Sequence, residues 1–354
     1  MKKQLKDVCE GFTKNIAQKD LSENNGKYPI FGASGIIKTI DFYISDKPYI
    51  GIVKDGSGVG RTNKYPAKSS LLGTMQYILP NQGIDLDYLM YGIRSLHLGE
   101  NYSGAAIPHI YFKVYKNRTL DFPELAEQKQ RSIVLNKIQD AINVKEKQLF
   151  ELENIIQSEF VEMFGENPVE SGKWKVETLG EIGKVSMCKR ILREQTTPEG
   201  DIPFYKIGTF GKKADAYISK ELYNEFKSKY SYPKKGSILI SASGTIGRAV
   251  VFDGEPAYFQ DSNIVWIDND ETKVLNSFLQ FWYGTNPWKI TQGGTISRLY
   301  NSNISEANVI IPPLEVQQSF AAFVQKIDKS KFVVKQQITD LQELLDSKMQ
   351  EYFS

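Results

Sequence analysis

The chain has 354 residues, 41% hydrophobic and 24% charged, with 44 Lys plus Arg against 42 Asp plus Glu and a net charge of +2. This suits two or three globular domains and excludes wholesale disorder. A near-neutral balance neither demands nor excludes nucleic acid, so the local sorting of charge has to decide.

In chain order, residues 1–122 read as a first globule. Within it, Tyr49-Ile50-Gly51-Ile52-Val53 suits a short strand, Ser57-Gly58-Val59-Gly60-Arg61 a tight glycine turn, and Asp87-Tyr88-Leu89-Met90-Tyr91 a helix. Residues 123–164 read as a long helix that begins after a Pro-x-Leu segment and stops before Gly165 and Pro168. A polar linker, GENPVESGK, covers 165–173. Trp174 opens a second globule, 174–311. Its strands are expected at Ser237-Ile238-Leu239-Ile240 and Ile264-Val265-Trp266-Ile267, its helix at 275–281. Residues 312–354 form a second long helix.

The chain repeats itself at an offset of 189 residues. Pro123-Glu124-Leu125-Ala126-Glu127-Gln128 aligns with Pro312-Pro313-Leu314-Glu315-Val316-Gln317, and Glu162-Met163-Phe164 with Glu351-Tyr352-Phe353. Gly104 and Ile107 align with Gly293 and Ile296. With a drift of a residue or two, Ser57-Gly58-Val59-Gly60-Arg61 faces Ser243-Gly244-Thr245-Ile246-Gly247-Arg248. A period this long means duplicated domains rather than a solenoid. Alternating steps of four and three place Ile138, Ile142, Lys145, Leu149, Leu152, Ile156, Glu159 and Met163 on one seam. The repeat gives Ile327, Lys331, Val334, Ile338, Leu341, Leu345, Lys348 and Tyr352. This is coiled-coil spacing. Two apolar seams in one chain must be buried, and an antiparallel pairing of the two helices is the simplest solution. One such register sets Glu159 against Lys331, and a parallel pair would set it against Lys348 equally well. The fold class expected is therefore α+β: two globular α/β domains separated by two long antiparallel coiled-coil helices, in a pseudo-two-fold internal repeat. From Ile138 to Met163 the spacer would be about 39 Å long at 1.5 Å per residue, close to one turn of duplex DNA.

No catalytic constellation stands out. There is neither a nucleotide P-loop nor a dinucleotide fingerprint. Glu127-Gln128-Lys129 and Glu225-Phe226-Lys227 spell a nuclease-like Glu-x-Lys but lack acidic partners. Asn286-Pro287-Trp288 lacks the second proline of a base-flipping methyltransferase loop. Cys9, Cys188, His97 and His109 lie too far apart in sequence for a zinc motif or a disulfide framework, and a reducing, cytoplasmic setting is the simplest expectation. No apolar run approaches a membrane span, and MKKQLKDVCEGF does not read as a signal peptide. His97 and His109 read as structural residues. Basic residues collect at Lys54, Arg61, Lys64 and Lys68, at Lys184, Lys189, Arg190 and Arg193, at Lys206, Lys212 and Lys213, and at Arg298 in the Gly293-Gly294-Thr295-Ile296-Ser297-Arg298 loop.

Across nearly its whole length the chain resembles the specificity subunits of type I restriction–modification systems. The two globules alternate with two similar helices, and each helix starts with a segment similar to the family's Pro-x-Leu-x-Glu-Gln. Val316 departs from that pattern. Tyr28-Pro29-Ile30-Phe31-Gly32-Ala33-Ser34-Gly35 and the two glycine turns also look like family features. The resemblance implies a subunit without an active site or cofactor of its own. Its two target-recognition domains would read the halves of a split double-stranded DNA target. Modification subunits, two of them, would bring S-adenosylmethionine, and restriction subunits would bring ATP- and Mg-dependent cleavage. Membranes play no part. The alternatives from the residues are a self-sufficient DNA methyltransferase or nuclease, or a protein-only bridging adaptor. Candidate DNA contacts, chosen by chemistry, are Ser57, Arg61, Thr62, Lys64, Lys206, Ser243, Thr245, Arg248 and Arg298. Arg61 and Arg248 lead for phosphate or guanine contact. Candidate spacer and subunit contacts are Ile138, Ile142, Leu149, Leu152, Ile156, Ile327, Val334, Ile338, Leu341 and Leu345.

Overall fold

The protein, described by a computed structural model at residues 1–100, 102–104, 108–288 and 298–354, divides into two compact units. One comprises Met1–Phe150 with Phe332–Ser354, the other Glu151–Lys331. The second is one contiguous stretch and the first is built from both ends of the chain, so each takes part of both long helices.

In the first unit, strands Cys9–Phe12, Met75–Pro80, Tyr49–Val53 and Thr62–Tyr65 lie side by side in that order in an antiparallel sheet. A second sheet runs Gly35–Ile40, Tyr28–Gly32, Ser70–Leu71, the last pair parallel. A third pairs Lys2–Gln4 with Thr119–Asp121. The second unit repeats all three. Its main sheet runs Gly183–Ser186, Ile264–Asn269, Ile238–Ser241, Ala249–Val251. Its second runs Tyr217–Ile218, Ile202–Tyr205, Tyr258–Phe259, again with a parallel last pair. Its third pairs Lys175–Thr178 with Asn308–Ile311. The second unit inserts a helix, Lys220–Lys229, ahead of its central strand.

The uninterrupted apolar runs have a simple cause. Side chains alternate across a strand, and both faces of these central strands are covered. Ile50 and Ile52 enter one core, while Tyr49 and Val53 enter another. Likewise Ile238 and Ile240 face one core and Leu239 the other. The first core of each unit is shared with helices. These are Leu86–Arg94 in one unit and Asn276–Gly284 in the other, each with the two long helices, Leu125–Phe164 and Leu314–Phe353.

The long helices run antiparallel within each unit. Ile138 and Ile142, early in the first helix, share a core with Leu345, Met349 and Phe353, late in the second. Ile156, Phe160 and Phe164, late in the first, share one with Phe320, early in the second. Ile338, Leu341 and Ile327 pack against these cores half-buried. Between Ile142 and Ile156 only Lys145, Leu149 and Leu152 escape full exposure, as the seam spacing requires, and Val334 is buried on the second helix. Glu159 does not meet Lys331. The ammonium of Lys331 lies 3.3 Å from the Glu153 carboxylate instead, and Glu153 is the more exposed of the two.

The repeated start of each long helix is a hydrogen-bonded lock. Gln128 is buried. Its amide NH2 donates to Pro123 O at 2.8 Å and Gly83 O at 3.4 Å, and its Oε1 accepts from Asp85 N at 3.0 Å. Gln317, also buried, donates to Pro312 O at 2.8 Å and Lys273 O at 2.9 Å and accepts from Leu275 N at 2.8 Å. Asp85 and Leu275 are the N-caps of the shorter helices. One side chain thus ties the start of a long helix to the start of its neighbour and satisfies backbone groups that the helix ends leave over.

The Val316 departure has a clear structural account. In the first unit Glu127 pairs with Arg131, which also donates to Tyr352 O at 3.0 Å near the C-terminus of the second long helix. The repeat places Val316 and Phe320 at these positions, and both pack in the aromatic core of the second unit. Lys173 takes over the cationic role there, donating to Met163 O at 3.0 Å. A cation thus meets the partly negative C-terminal end of each long helix.

Candidate nucleic-acid interface

The glycine turns link the third and fourth strands of the two main sheets and close with the same bonds. Val53 N donates to Arg61 O at 2.9 Å and Gly60 N to Val53 O at 2.8 Å. Ser241 N donates to Arg248 O at 3.0 Å and Gly247 N to Ser241 O at 2.9 Å. Gly60 and Gly247 have φ of +83° and +77°. A Cβ would lie 2.3 Å from Gly99 N in one and 2.4 Å from Trp288 Nε1 in the other. Only glycine combines that φ with that approach.

Each turn is braced by its arginine. Arg61 Nη1 donates to Ala33 O at 3.0 Å, and Arg248 Nη1 to Phe210 O at 2.8 Å. Both acceptors lie in the connection that follows the middle strand of the second sheet. Each arginine therefore joins two loops through one guanidinium nitrogen and keeps further N–H groups beyond that bond.

The other candidates separate. Ser57 and Thr245 are exposed on the turns. Thr62 is buried and its hydroxyl donates to Gly60 O at 3.0 Å, closing the turn. Lys64 is held by Asp87 of the Leu86–Arg94 helix. Ser243 Oγ donates to Asn263 Oδ1 at 2.9 Å. Lys206 pairs with Asp215 at 2.8 Å, and Arg298 Nη2 donates to Ser262 O at 2.8 Å. Ile107 and Gly293-Gly294-Thr295-Ile296-Ser297 lie outside the described residues.

The backbone pairing bears out a further equivalence of the 189-residue repeat. Ile110 N donates to Lys54 O at 2.9 Å, and Leu299 N to Ala242 O at 2.9 Å. His109 therefore occupies in the first unit the place of Arg298 in the second. Beside His109 are Tyr111, with Lys54 and Lys113 each 5.7 Å from its ring, and the Lys54–Asp55 ion pair.

Lys206 and Arg298 do come together. They line a cleft of about 560 Å³ in the second unit with Arg190, Arg193, Gln260 and Asn263. The sequence placed Arg190 and Arg193 in a basic cluster, but nothing in it joined them to Lys206 or Arg298. Burial pushes the thiols of Cys9 and Cys188 up to about 12, so neither is a ready nucleophile. Among the described residues no group of His, Cys, Asp and Glu is placed to hold a metal ion.

The family model for the type I restriction modification DNA specificity domain matches the chain twice, at residues 1–154 and 171–343. The chain belongs to that family. It is 64% identical over 154 residues to a type I restriction enzyme specificity subunit of Haemophilus influenzae. That match spans 44% of the chain and 40% of the Haemophilus protein. A Methanocaldococcus jannaschii specificity subunit is 25% identical over 299 residues, 76% of this chain and 68% of its own. The crystal structure of a type I system S subunit from M. genitalium superposes with a TM-score of 0.58 at 15% identity, over 100% of this specificity protein and 96% of that chain. The likeness extends the fold to that structure. Among the described residues no helix of the specificity protein is long and apolar enough to cross a membrane.

Proposed function

We propose that this chain is the DNA-recognition subunit of a type I restriction–modification complex, with no active site of its own, and that each unit reads one half of a split duplex target. The observation that carries the reading is the duplication of a complete three-sheet topology, with the same arginine-braced glycine hairpin at the same place in both copies. Two copies of one reader suit a two-part target. Arg61, Arg248, Ser57, Thr245, Lys206, Ser243 and Arg298 remain the candidate DNA contacts. Phosphate contacts would give affinity, and contacts to base edges would give sequence preference.

The long helices offer the surface for protein partners. Ile133, Val144 and Ile155 are 54%, 64% and 44% exposed. Their eleven-residue spacing keeps them on one helix face. The internal repeat puts exposed Ala322, Val333 and Leu344 at the same positions on the second helix. Exposed apolar residues at equivalent positions of the two helices suit two copies of one partner, and two modification subunits fit that count. In this reading S-adenosylmethionine, ATP and Mg act in the modification and restriction subunits, and the complex works in the cytoplasm.

The test is to express the chain with its modification subunit and map the methylated adenines on genomic DNA. A split motif with a fixed gap supports the reading. A continuous motif refutes it. Methyl transfer or DNA cleavage by the isolated chain would favour a self-sufficient enzyme instead.

A further inference from the structure

The two units share a scaffold but fill one part of it in opposite ways. In the first unit Ile16, Leu21, Ile30 and Leu72 pack with Ile37 and Ile40 in a small apolar core. This core lies beside the connection between Cys9–Phe12 and Tyr28–Gly32. The matching connection in the second unit, between Gly183–Ser186 and Ile202–Tyr205, has the same length. By strand register Arg190 replaces Ile16, Arg193 replaces Lys19, Gln195 replaces Leu21 and Phe204 replaces Ile30. Gln260 replaces Leu72, since Gln260 N donates to Tyr205 O as Leu72 N does to Phe31 O. Arg298 replaces His109. The fold therefore does not require these polar and cationic residues. What stands there instead is the cleft of about 560 Å³, with Arg190, Arg193, Lys206 and Arg298 on its walls.

The cations are only loosely engaged. Arg190 is 67% exposed and pairs with Asp261, the one carboxylate of the lining. Lys206 pairs with an exposed Asp215. Arg193 is exposed and forms no ion pair among the described residues. The Lys206–Asp215 pair is exposed on both sides, and such pairs contribute little and exchange readily for another anion. Gln260 is fixed, with its Oε1 accepting from Ile207 N at 3.0 Å, and Asn263 is tied to Ser243 of the glycine turn.

We propose that this cleft is an anion site for the phosphodiester backbone of duplex DNA, so that the second unit supplies a salt-dependent contribution that has no counterpart at the matching place in the first unit. The proposal rests on the DNA-recognition reading and adds an asymmetry that the sequence repeat does not suggest. Its chemistry is that of phosphate recognition: arginine forks and an ammonium around a concavity, with one carboxylate that Arg190 already neutralises.

The experiment uses the full chain assembled with its modification subunits and a random-sequence duplex oligonucleotide, titrated over a range of salt concentrations. Each lost phosphate contact reduces the slope of log affinity against log salt by about 0.9. The double variant Arg190→Gln/Arg193→Gln should lower the slope by about 1.8 and weaken binding at least tenfold at low salt. Lys206→Gln should act in the same direction as an independent variant. Lys19→Gln in the first unit should leave the slope unchanged. If the cleft variants keep the parental slope while the parental complex binds steeply, the anion site is wrong and the DNA reading survives. If the parental complex binds no duplex, the DNA reading itself falls, and the cleft assignment with it.

Discussion

Gln317 offers a sharp test of how the long helices are anchored. Its side chain is fully buried, with three hydrogen bonds of 2.8–2.9 Å to Pro312, Lys273 and Leu275. Gln317→Ala removes the amide and leaves one N–H and two carbonyls without that partner. A buried donor or acceptor stripped of its partner costs about 1–3 kcal/mol, the N–H more than a carbonyl with a second lone pair. The expected loss is about 3–5 kcal/mol, a large share of the roughly 5–15 kcal/mol that holds a domain together. Gln317→Glu should be at least as damaging, because a carboxylate can accept from Leu275 N but cannot donate to the two carbonyls. All four tryptophans, Trp174, Trp266, Trp282 and Trp288, lie in the second unit. Tryptophan fluorescence during urea unfolding therefore reports on that unit. Gln317→Ala should shift the fluorescence midpoint strongly downward. Gln128→Ala, at the equivalent place in the first unit, should leave it nearly in place while destabilising part of the far-ultraviolet circular dichroism signal. Exposed Gln318→Ala is the control. A Gln317→Ala midpoint within error of that control would refute the lock.

Three further outcomes are expected. Phe353 packs 4.5 Å from Tyr88, ring centroid to centroid, in the first unit, so Phe353→Ala should cost about 3–4 kcal/mol by cavity formation and spare the tryptophan signal. Val144→Lys and Val333→Lys, both at exposed positions, should leave unfolding midpoints unchanged. They should reduce co-purification of the modification subunit at least tenfold, and unaltered co-purification would remove these helix positions as docking contacts. Inserting a heptad into each long helix should lengthen the gap of the methylated motif and keep its half-sites. Altered half-sites with a fixed gap would refute a spacer role.

Much of the architecture was legible because it lies in local pattern. The seam from Ile138 to Met163 follows from spacing alone, and the repeated Pro-x-Leu start marks where each helix begins. The helices Leu86–Arg94 and Asn276–Gly284 also follow from short apolar runs. The sheet order did not, since a parallel pair such as Ile30 with Ser70 joins segments with no periodic link between them. The candidate interface was only partly readable for the same reason. The paired glycine turns could be found by their spelling. Their arginines looked like bare DNA contacts, because sequence cannot show that Ala33 and Phe210 present carbonyls to them. The cleft draws on positions from Arg190 to Arg298, and only folding collects them. The bond from Thr62 to Gly60 O was equally hidden, because a threonine beside a turn bonds its own backbone as readily as a ligand.

Completion of the first unit by Phe332–Ser354 has a consequence for biosynthesis. On the ribosome, Tyr88, Phe122, Ile138 and Ile142 emerge long before the segment carrying Leu345, Met349 and Phe353 that covers them. At ~5–20 residues per second, translation from Phe150 to Ser354 takes roughly 10–40 s. Through that interval the nascent first unit presents an unfinished greasy face, a natural target for holding chaperones. Its final consolidation waits until Phe332–Ser354 has been made and released from the ribosome.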